Sequence, residues 1–235
     1  MISKNMSYNT EFLNRFVMML EKEQVKKLKS ARIIVFGVGG VGSALCHFLV
    51  RSGIEHLTVV DFDKIDTTNI NRQLVAYQSN TGKLKVEELK NQLLDINPNL
   101  QIETMPIKLD SETIKSIDFK QYDYVVDCVD DIPAKKLLIL ECNKHKIYLL
   151  SAMGAGNRYA EIPQFEISDI SRTSYDPIAK ILRKFCLEER IKKLDVCYTK
   201  QKATKFNCKT IGSVVYYPVN MATVMCAKII NKILG

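Results

Sequence analysis

Three glycines at G-x-G-x-x-G spacing, Gly37, Gly39 and Gly42, close an apolar run, Arg32-Ile-Ile-Val-Phe36, and open a segment of helical pattern. One glycine permits the tight turn, one lets backbone approach a phosphate, and one lets the helix pack close to the strand. Free N–H groups at the helix start then favour an anion. Asp61 ends a second apolar run, 19 residues beyond Gly42, where a Rossmann-like fold puts a carboxylate on ribose hydroxyls. Arg72 and Lys85 flank the same loop as cations, and they suit the β- and γ-phosphates of ATP better than a dinucleotide pyrophosphate. A third run ends at Asp127 and leads into Cys128-Val-Asp130-Asp131. Three carboxylates there suit Mg²⁺ and a helix cap, with Asp130 as the metal ligand and Asp131 as the cap.

These groups need strands that end together. The pattern predicts strands at 32–36, 57–61, 100–106, 122–127 and 147–151, with helices at 41–52, from about Thr81 (carrying Lys83 and Lys85), near 110–117 and at 133–145. Alternation of strand and helix points to an α/β, Rossmann-like fold, its mostly parallel sheet covered on both faces. One or two amphipathic helices are expected within 9–30. A late strand is expected at 212–218, before a closing helix at 220–234 whose stripe of Met221, Val224, Met225, Ile229 and Ile233 is core or dimer face. The 235 residues read as one domain: an N-terminal arm (9–30), a core (31–151) and an extension (152–235).

The composition sets limits. Apolar residues are 46% of the chain, but no stretch approaches 18 residues and the start lacks a signal-peptide core, so a soluble, cytosolic (cytoplasmic) protein with no membrane partner is expected. Seven cysteines without a C-x-x-C pair fit neither a disulfide framework nor a four-thiolate zinc site. Of Cys186, Cys197 and Cys208, which lie among cations, burial is the expected state rather than nucleophilic use. The net charge of +8, partly concentrated in 180–209, is consistent with a polyanionic partner such as RNA or with lysines that merely solvate helix faces. Around the 152–176 segment, Arg158, Arg172, Lys180, Arg183 and Lys184 form a candidate RNA surface, with Tyr159 and Tyr175 suited to stacking.

The residues Gly37-x-Gly-Gly40-x-Gly-Ser43, Asp61-x-Asp63, Asn69-x-x-Arg72-Gln73, Lys85-x-Glu87 and Asp127-Cys-x-Asp130 resemble the adenylation domain of ubiquitin-activating-enzyme-like proteins. Within that superfamily, Ser151-Ala-Met-Gly-Ala-Gly-Asn-Arg158, Asp169-Ile-Ser-Arg-Thr173 and Asp176-Pro-Ile-Ala-Lys-Ile-Leu-Arg183 resemble the tRNA threonylcarbamoyladenosine dehydratases, from about Phe12 to Leu234. The resemblance implies that Gly37, Gly39, Gly40, Gly42, Asp61 and Asp63 line the nucleotide site. It implies that Asn69, Arg72 and Lys85 hold the phosphates and Asp130 the Mg²⁺. On the residues alone Arg15 is an ordinary snorkelling arginine. The resemblance instead implies that it reaches across a homodimer to the partner's ATP. The chain departs from the pattern at Phe12, Glu21 and Thr199-Lys-Gln201.

The implied reaction is cyclodehydration of N6-threonylcarbamoyladenosine next to a tRNA anticodon, through an acyl adenylate of its carboxylate. It needs no enzyme nucleophile. Implied accessories are a monovalent cation (Na⁺ or K⁺) at the 152–158 loop and a cysteine desulfurase or other sulfur-acceptor system. Three alternatives remain open at this point: adenylation of a sulfur carrier's Gly-Gly tail, a nucleotide-binding regulator without chemistry, and a dehydrogenase.

Overall fold

A computed structural model describes residues 11–207 and 210–235. Its centre is a seven-stranded sheet in the order β3-β2-β1-β4-β5-β7-β6, parallel throughout except for β6. The strands are β1 (Arg32–Phe36), β2 (His56–Val60), β3 (Gln101–Met105), β4 (Tyr124–Asp127), β5 (Tyr148–Ala152), β6 (Glu166–Asp169) and β7 (Asp195–Tyr198). The helices are α1 (Asn14–Val17), α2 (Lys22–Ser30), α3 (Gly40–Arg51), α4 (Lys85–Ile96), α5 (Ile132–His145), α6 (Pro177–Glu188) and α7 (Tyr216–Leu234).

Successive residues of β1 serve opposite faces of the sheet, as the pleat requires. Ile33 and Val35 enter a core with α3, α4 and α7, whereas Ile34 and Phe36 enter a second core with α5 and α6. Both faces of the central strands are therefore buried, which is why those strands read as unbroken apolar runs. Met221, Met225 and Ile229 of α7 are fully buried in the first core, where α7 packs on α3. Ile233 is buried with them, whereas Val224 is only half-buried.

Several elements differ from expectation. Residues 212–218 form no strand; α7 begins at Tyr216 and takes Pro218 into its first turn, where a missing N–H is tolerated. The segment near 110–117 forms only a 3₁₀ turn, Thr113–Ser116, because Asp110 and Thr113 close a compact side-chain-to-backbone turn and Ile114 and Ile117 plug the core. The helix expected from Thr81 starts at Lys85, so Lys83 precedes it; Gly82, at φ +87°, holds the turn before it. The arm is a 3₁₀ turn at Glu11–Leu13 followed by α1 and α2, while residues 9 and 10 lie outside the described residues. Strands β6 and β7 and the helix α6 between them were not anticipated.

Register decides where loops emerge. Phe36 pairs with Val60 on one side and Asp127 on the other, and Asp127 pairs with Ser151. The turns starting at Gly37, Asp61 and Cys128 therefore leave the sheet side by side. Strand order reverses between β1 and β4, and in open α/β sheets ligands bind in the crevice at such a reversal.

Candidate active site

The glycine turn is closed on two sides and open on one. A Cβ on Gly37, whose φ is +89°, would meet the Cys128 carbonyl at 2.7 Å, and one on Gly42 would lie 1.8 Å from the Gly37 carbonyl oxygen. Gly40 is nearly as confined, with Pro218 at 3.1 Å and the Arg72 carbonyl at 3.2 Å. A Cβ on Gly39 would meet nothing within 4 Å. Gly39 is the N-cap of α3, so the open face coincides with the helix's free N–H groups and can take a phosphate.

Asp61 supports the turn as well as facing the site. Its carboxylate accepts the N–H of Val38 at 2.6 Å and of Asp63 at 2.8 Å. Burial raises its pKa above the ordinary carboxylate value, against the lowering pull of Lys85 and those two N–H groups. Lys85 is itself buried and donates to Asp63 at 2.7 Å, so the first residue of α4 is clamped to the turn after β2. Asn69 is nearly buried and accepts the Asp66 N–H at 3.1 Å. Arg72 is half-buried and donates to the Thr68 carbonyl at 2.7 Å and to Asn71 Oδ1 at 3.0 Å, which stretches its guanidinium along its own turn.

The carboxylates after β4 divide their roles differently from a three-ligand site. Asp127 is fully buried; it accepts from Lys135 Nζ at 2.9 Å and from the Ser151 hydroxyl. Asp131 caps α5, accepting the Ala134 N–H at 2.9 Å. Asp130 remains exposed at the mouth of the crevice. Among the described residues no three His, Cys, Asp or Glu side chains gather around one point. Mg²⁺ is commonly held by one or two carboxylates plus the substrate's phosphates, and the free Asp130 beside an open phosphate cradle fits that pattern.

The chain belongs to the ThiF family. The family model matches residues 13–235, essentially all that the fold uses. A tRNA threonylcarbamoyladenosine dehydratase from Bacillus subtilis is 42% identical over 172 residues, 73% of this chain and 67% of that protein. Another of that name, from Haemophilus influenzae, is 37% identical over 161 residues, 68% of this chain and 61% of that protein. The matches thus span about two thirds of these relatives' lengths. The crystal structure of the Escherichia coli tRNA N6-threonylcarbamoyladenosine dehydratase, TcdA, in complex with AMP superposes with a TM-score of 0.88 at 25% identity, covering 94% of this chain and 93% of that one.

In this ThiF-family chain the candidate RNA residues do not form one patch. Arg158 is buried: Nε donates to the Gln201 carbonyl at 2.8 Å and Nη1 to the carbonyls of Gly154 and Gly156, with Asp176 at 3.8 Å. It braces loops and does not face RNA, because those carbonyls and Asp176 offer better partners than water. Arg183 is half-buried and donates to Thr173 through both its carbonyl and hydroxyl at 2.7 Å. Arg172 and Lys180 are exposed. Arg15 is exposed on α1 and makes no hydrogen bond or ion pair with the described residues.

Cysteine chemistry finds no support among the described residues. Cys197 is fully buried and its thiol pKa is pushed up by burial, and Cys186, also buried, is pushed up to about 11. Desolvation is the main cause in both, and the Asp169 charge adds to it at Cys186. Cys208 lies outside the described residues.

The network that sets this end of the sheet was not read from the sequence, although one signal was there. Lys135, Leu138, Ile139 and Cys142 lie at i, i+3, i+4 and i+7 and are all buried, so a lysine stands in a core stripe. A lysine there requires a buried acid. Gln201, where the resemblance departs from the family, accepts from Tyr217 and Gln164 and donates to the Ile162 carbonyl. That departure is the one sequence signal that marks it.

Proposed function

We propose that the chain is an ATP-dependent tRNA threonylcarbamoyladenosine dehydratase. The observation that carries the reading is the crevice at the strand reversal, in which the open backbone of Gly39 lies between the turn held by Asp61 and the Asn69–Arg72 segment. The name of the relatives supplies the substrate. The adenosine of ATP rests on the glycine turn with its ribose on Asp61, and its phosphates face the start of α3, Arg72 and Lys85. Asp130 would hold Mg²⁺, which would neutralise phosphate charge there.

The substrate carboxylate attacks the α-phosphorus; a P–O bond forms, the bond to the β-phosphate breaks, and pyrophosphate leaves. A nitrogen of the same modification then attacks the activated carbonyl, closing a five-membered ring and expelling AMP. The nucleoside has lost one water, and ATP has become AMP and pyrophosphate. Attack within one molecule needs orientation and charge stabilisation rather than a protein nucleophile, which agrees with buried, unactivated thiols. Neither a monovalent cation nor a sulfur-transfer partner is part of this scheme.

A homodimer completes the proposal, with exposed Arg15 reaching the partner's nucleotide. Arg15→Ala should abolish turnover, and mixing it with Asp130→Ala subunits should restore one intact site in each hybrid. Confirmed heterodimers without recovery would sink the shared site. The function itself is tested by mass spectrometry of nucleosides after incubating protein, Mg-ATP and tRNA carrying threonylcarbamoyladenosine. ATP-dependent loss of one water that disappears in Arg72→Ala is expected. No loss, with pyrophosphate exchange stimulated by a sulfur-carrier protein, would replace this function with carrier adenylation.

A further inference from the structure

Two large rings stand exposed above the carboxyl ends of β5 and β7. Tyr159 is 61% exposed and Phe206 50%, with their centroids 6.4 Å apart and their planes at 36°. They come from different loops, 153–165 after β5 and 199–215 after β7. Exposed aromatic surface of this kind is unfavourable in water and marks a contact site when it is clustered.

The loops that carry the rings are tied down. Asn157 and Gly212 exchange hydrogen bonds at 2.6 and 2.7 Å, and Thr204 N–H donates to the Asn157 carbonyl at 2.7 Å. Buried Arg158 binds the Gln201 carbonyl, and the Tyr216 hydroxyl donates to the Tyr159 carbonyl at 3.0 Å. Asn71, next to Arg72, donates to the Ser213 carbonyl at 2.9 Å, so the same loop is fastened to the phosphate side of the nucleotide crevice. Rings displayed on a cross-braced frame lose little freedom on binding a partner.

The charge around them selects the partner. Of the described residues in 199–215, Lys202 and Lys205 are exposed, Lys200 is paired with Glu166 at 2.8 Å, and the segment itself carries no acid. Lys202 Nζ lies 5.1 Å from the ring centre of Tyr175, itself 64% exposed. Exposed aromatics among cations suit an unpaired nucleotide, whose base stacks on the ring while its phosphates meet the lysines. An apolar protein surface would leave Lys202 and Lys205 unanswered.

We infer that Tyr159 and Phe206 form a stacking platform for an unpaired base of the tRNA loop adjoining the modified adenosine, and that this platform holds the substrate carboxylate at the nucleotide crevice. The inference rests on the RNA-modifying function proposed above. The platform specifies which part of the substrate is read: a flipped or unstacked loop base, by its face rather than by its hydrogen-bonding edge.

The test uses the full chain with hairpin RNAs carrying threonylcarbamoyladenosine and 2-aminopurine at a flanking loop position, read by fluorescence and by anisotropy. Binding of the unmutated protein quenches the 2-aminopurine. Tyr159→Ala/Phe206→Ala loses the quenching and weakens binding by about 5- to 150-fold for each stacked base, with an unchanged melting midpoint, whereas Tyr159→Phe and Phe206→Tyr keep both. Unchanged quenching and affinity in the double alanine variant overturns the platform and leaves the function standing. Absence of both hairpin binding and water loss with the unmutated protein overturns function and platform together. A change of oligomeric state with unchanged RNA affinity makes the rings a contact between copies and also overturns it.

Discussion

Lys135 reaches Asp127 from α5 to the end of β4 with a 2.9 Å ion pair, and neither side chain is exposed at all. The same ammonium donates to the Ala152 carbonyl at 2.7 Å, while Ser151 donates to Asp127. One lysine thus joins the carboxyl ends of β4 and β5, from which the Asp130 turn and the Arg158 loop depart.

Breaking this pair should be severe. Lys135→Met leaves an unpaired buried carboxylate, and the expected loss is about 3–5 kcal/mol, read from urea denaturation midpoints. Lys135→Met combined with Asp127→Asn should recover part of that loss, since the buried charge is then gone. A double variant no more stable than the single one would show that the pair is not coupled.

Gly39 and Gly42 should separate binding from folding. Gly42→Ala forces its Cβ into the Gly37 carbonyl, so misfolding or a large drop in melting midpoint is expected. Gly39→Ala has free space and an ordinary φ of −86°, so the fold should hold while ATP binding weakens by about tenfold or more, about 1.4 kcal/mol, as the methyl fills the phosphate approach. Calorimetric ATP titration beside a thermal melt distinguishes the two.

Adjacent aspartates should part in the same way. Asp131→Ala removes the α5 cap and should reduce stability by about 1 kcal/mol. Asp130→Ala should leave the melt unchanged and lower ATP turnover by about 100-fold, the scale of losing about 2.7 kcal/mol of charge stabilisation. Equal effects on both readouts would contradict the division of roles.

Acid should weaken nucleotide binding through Asp61. Its pKa is raised by burial, so it takes up a proton, and loses its value as a ribose acceptor, at a higher pH than an ordinary carboxylate. ATP affinity should therefore fall as pH drops toward that raised value, and Asp61→Asn should bind weakly with little pH dependence. The stability sign is opposite. Between the ordinary carboxylate pKa and the raised one, the folded state holds a proton that the unfolded state releases, so this residue's contribution declines as pH rises through that window.

The cations of the RNA side should differ by burial. Arg172→Ala and Lys180→Ala should lower RNA affinity with unchanged melts, each reducing the slope of log affinity against log salt by about 0.7–0.9 per lost phosphate contact. Arg158→Ala should instead lower the melting midpoint, because it strands the Gly154, Gly156 and Gln201 carbonyls and the buried carboxylate of Asp176.

The central sheet and its parallel direction were legible in the chain, because these rest on local rules. Apolar runs ending in Gly37, Asp61 and Asp127 state where strands stop, and glycine spacing states what the first turn must do. The weakly patterned half was not legible. Strands β6 and β7 are four residues each, and Gly212–Pro218, though strand-like in composition, is drawn partly into α7 by packing on α3 and by the tie from Asn71 to Ser213. Charge roles were also decided in three dimensions. The sequence reads Arg158 as a surface cation, but it is drawn inward by acceptors supplied from distant segments, as Lys135 is by Asp127 and the Ala152 carbonyl, and burial turns both into braces. The sequence by itself determined which groups could touch a nucleotide. Only the tertiary structure decided which of its charges are free to do so, since that depends on which partners the fold brings within hydrogen-bonding distance.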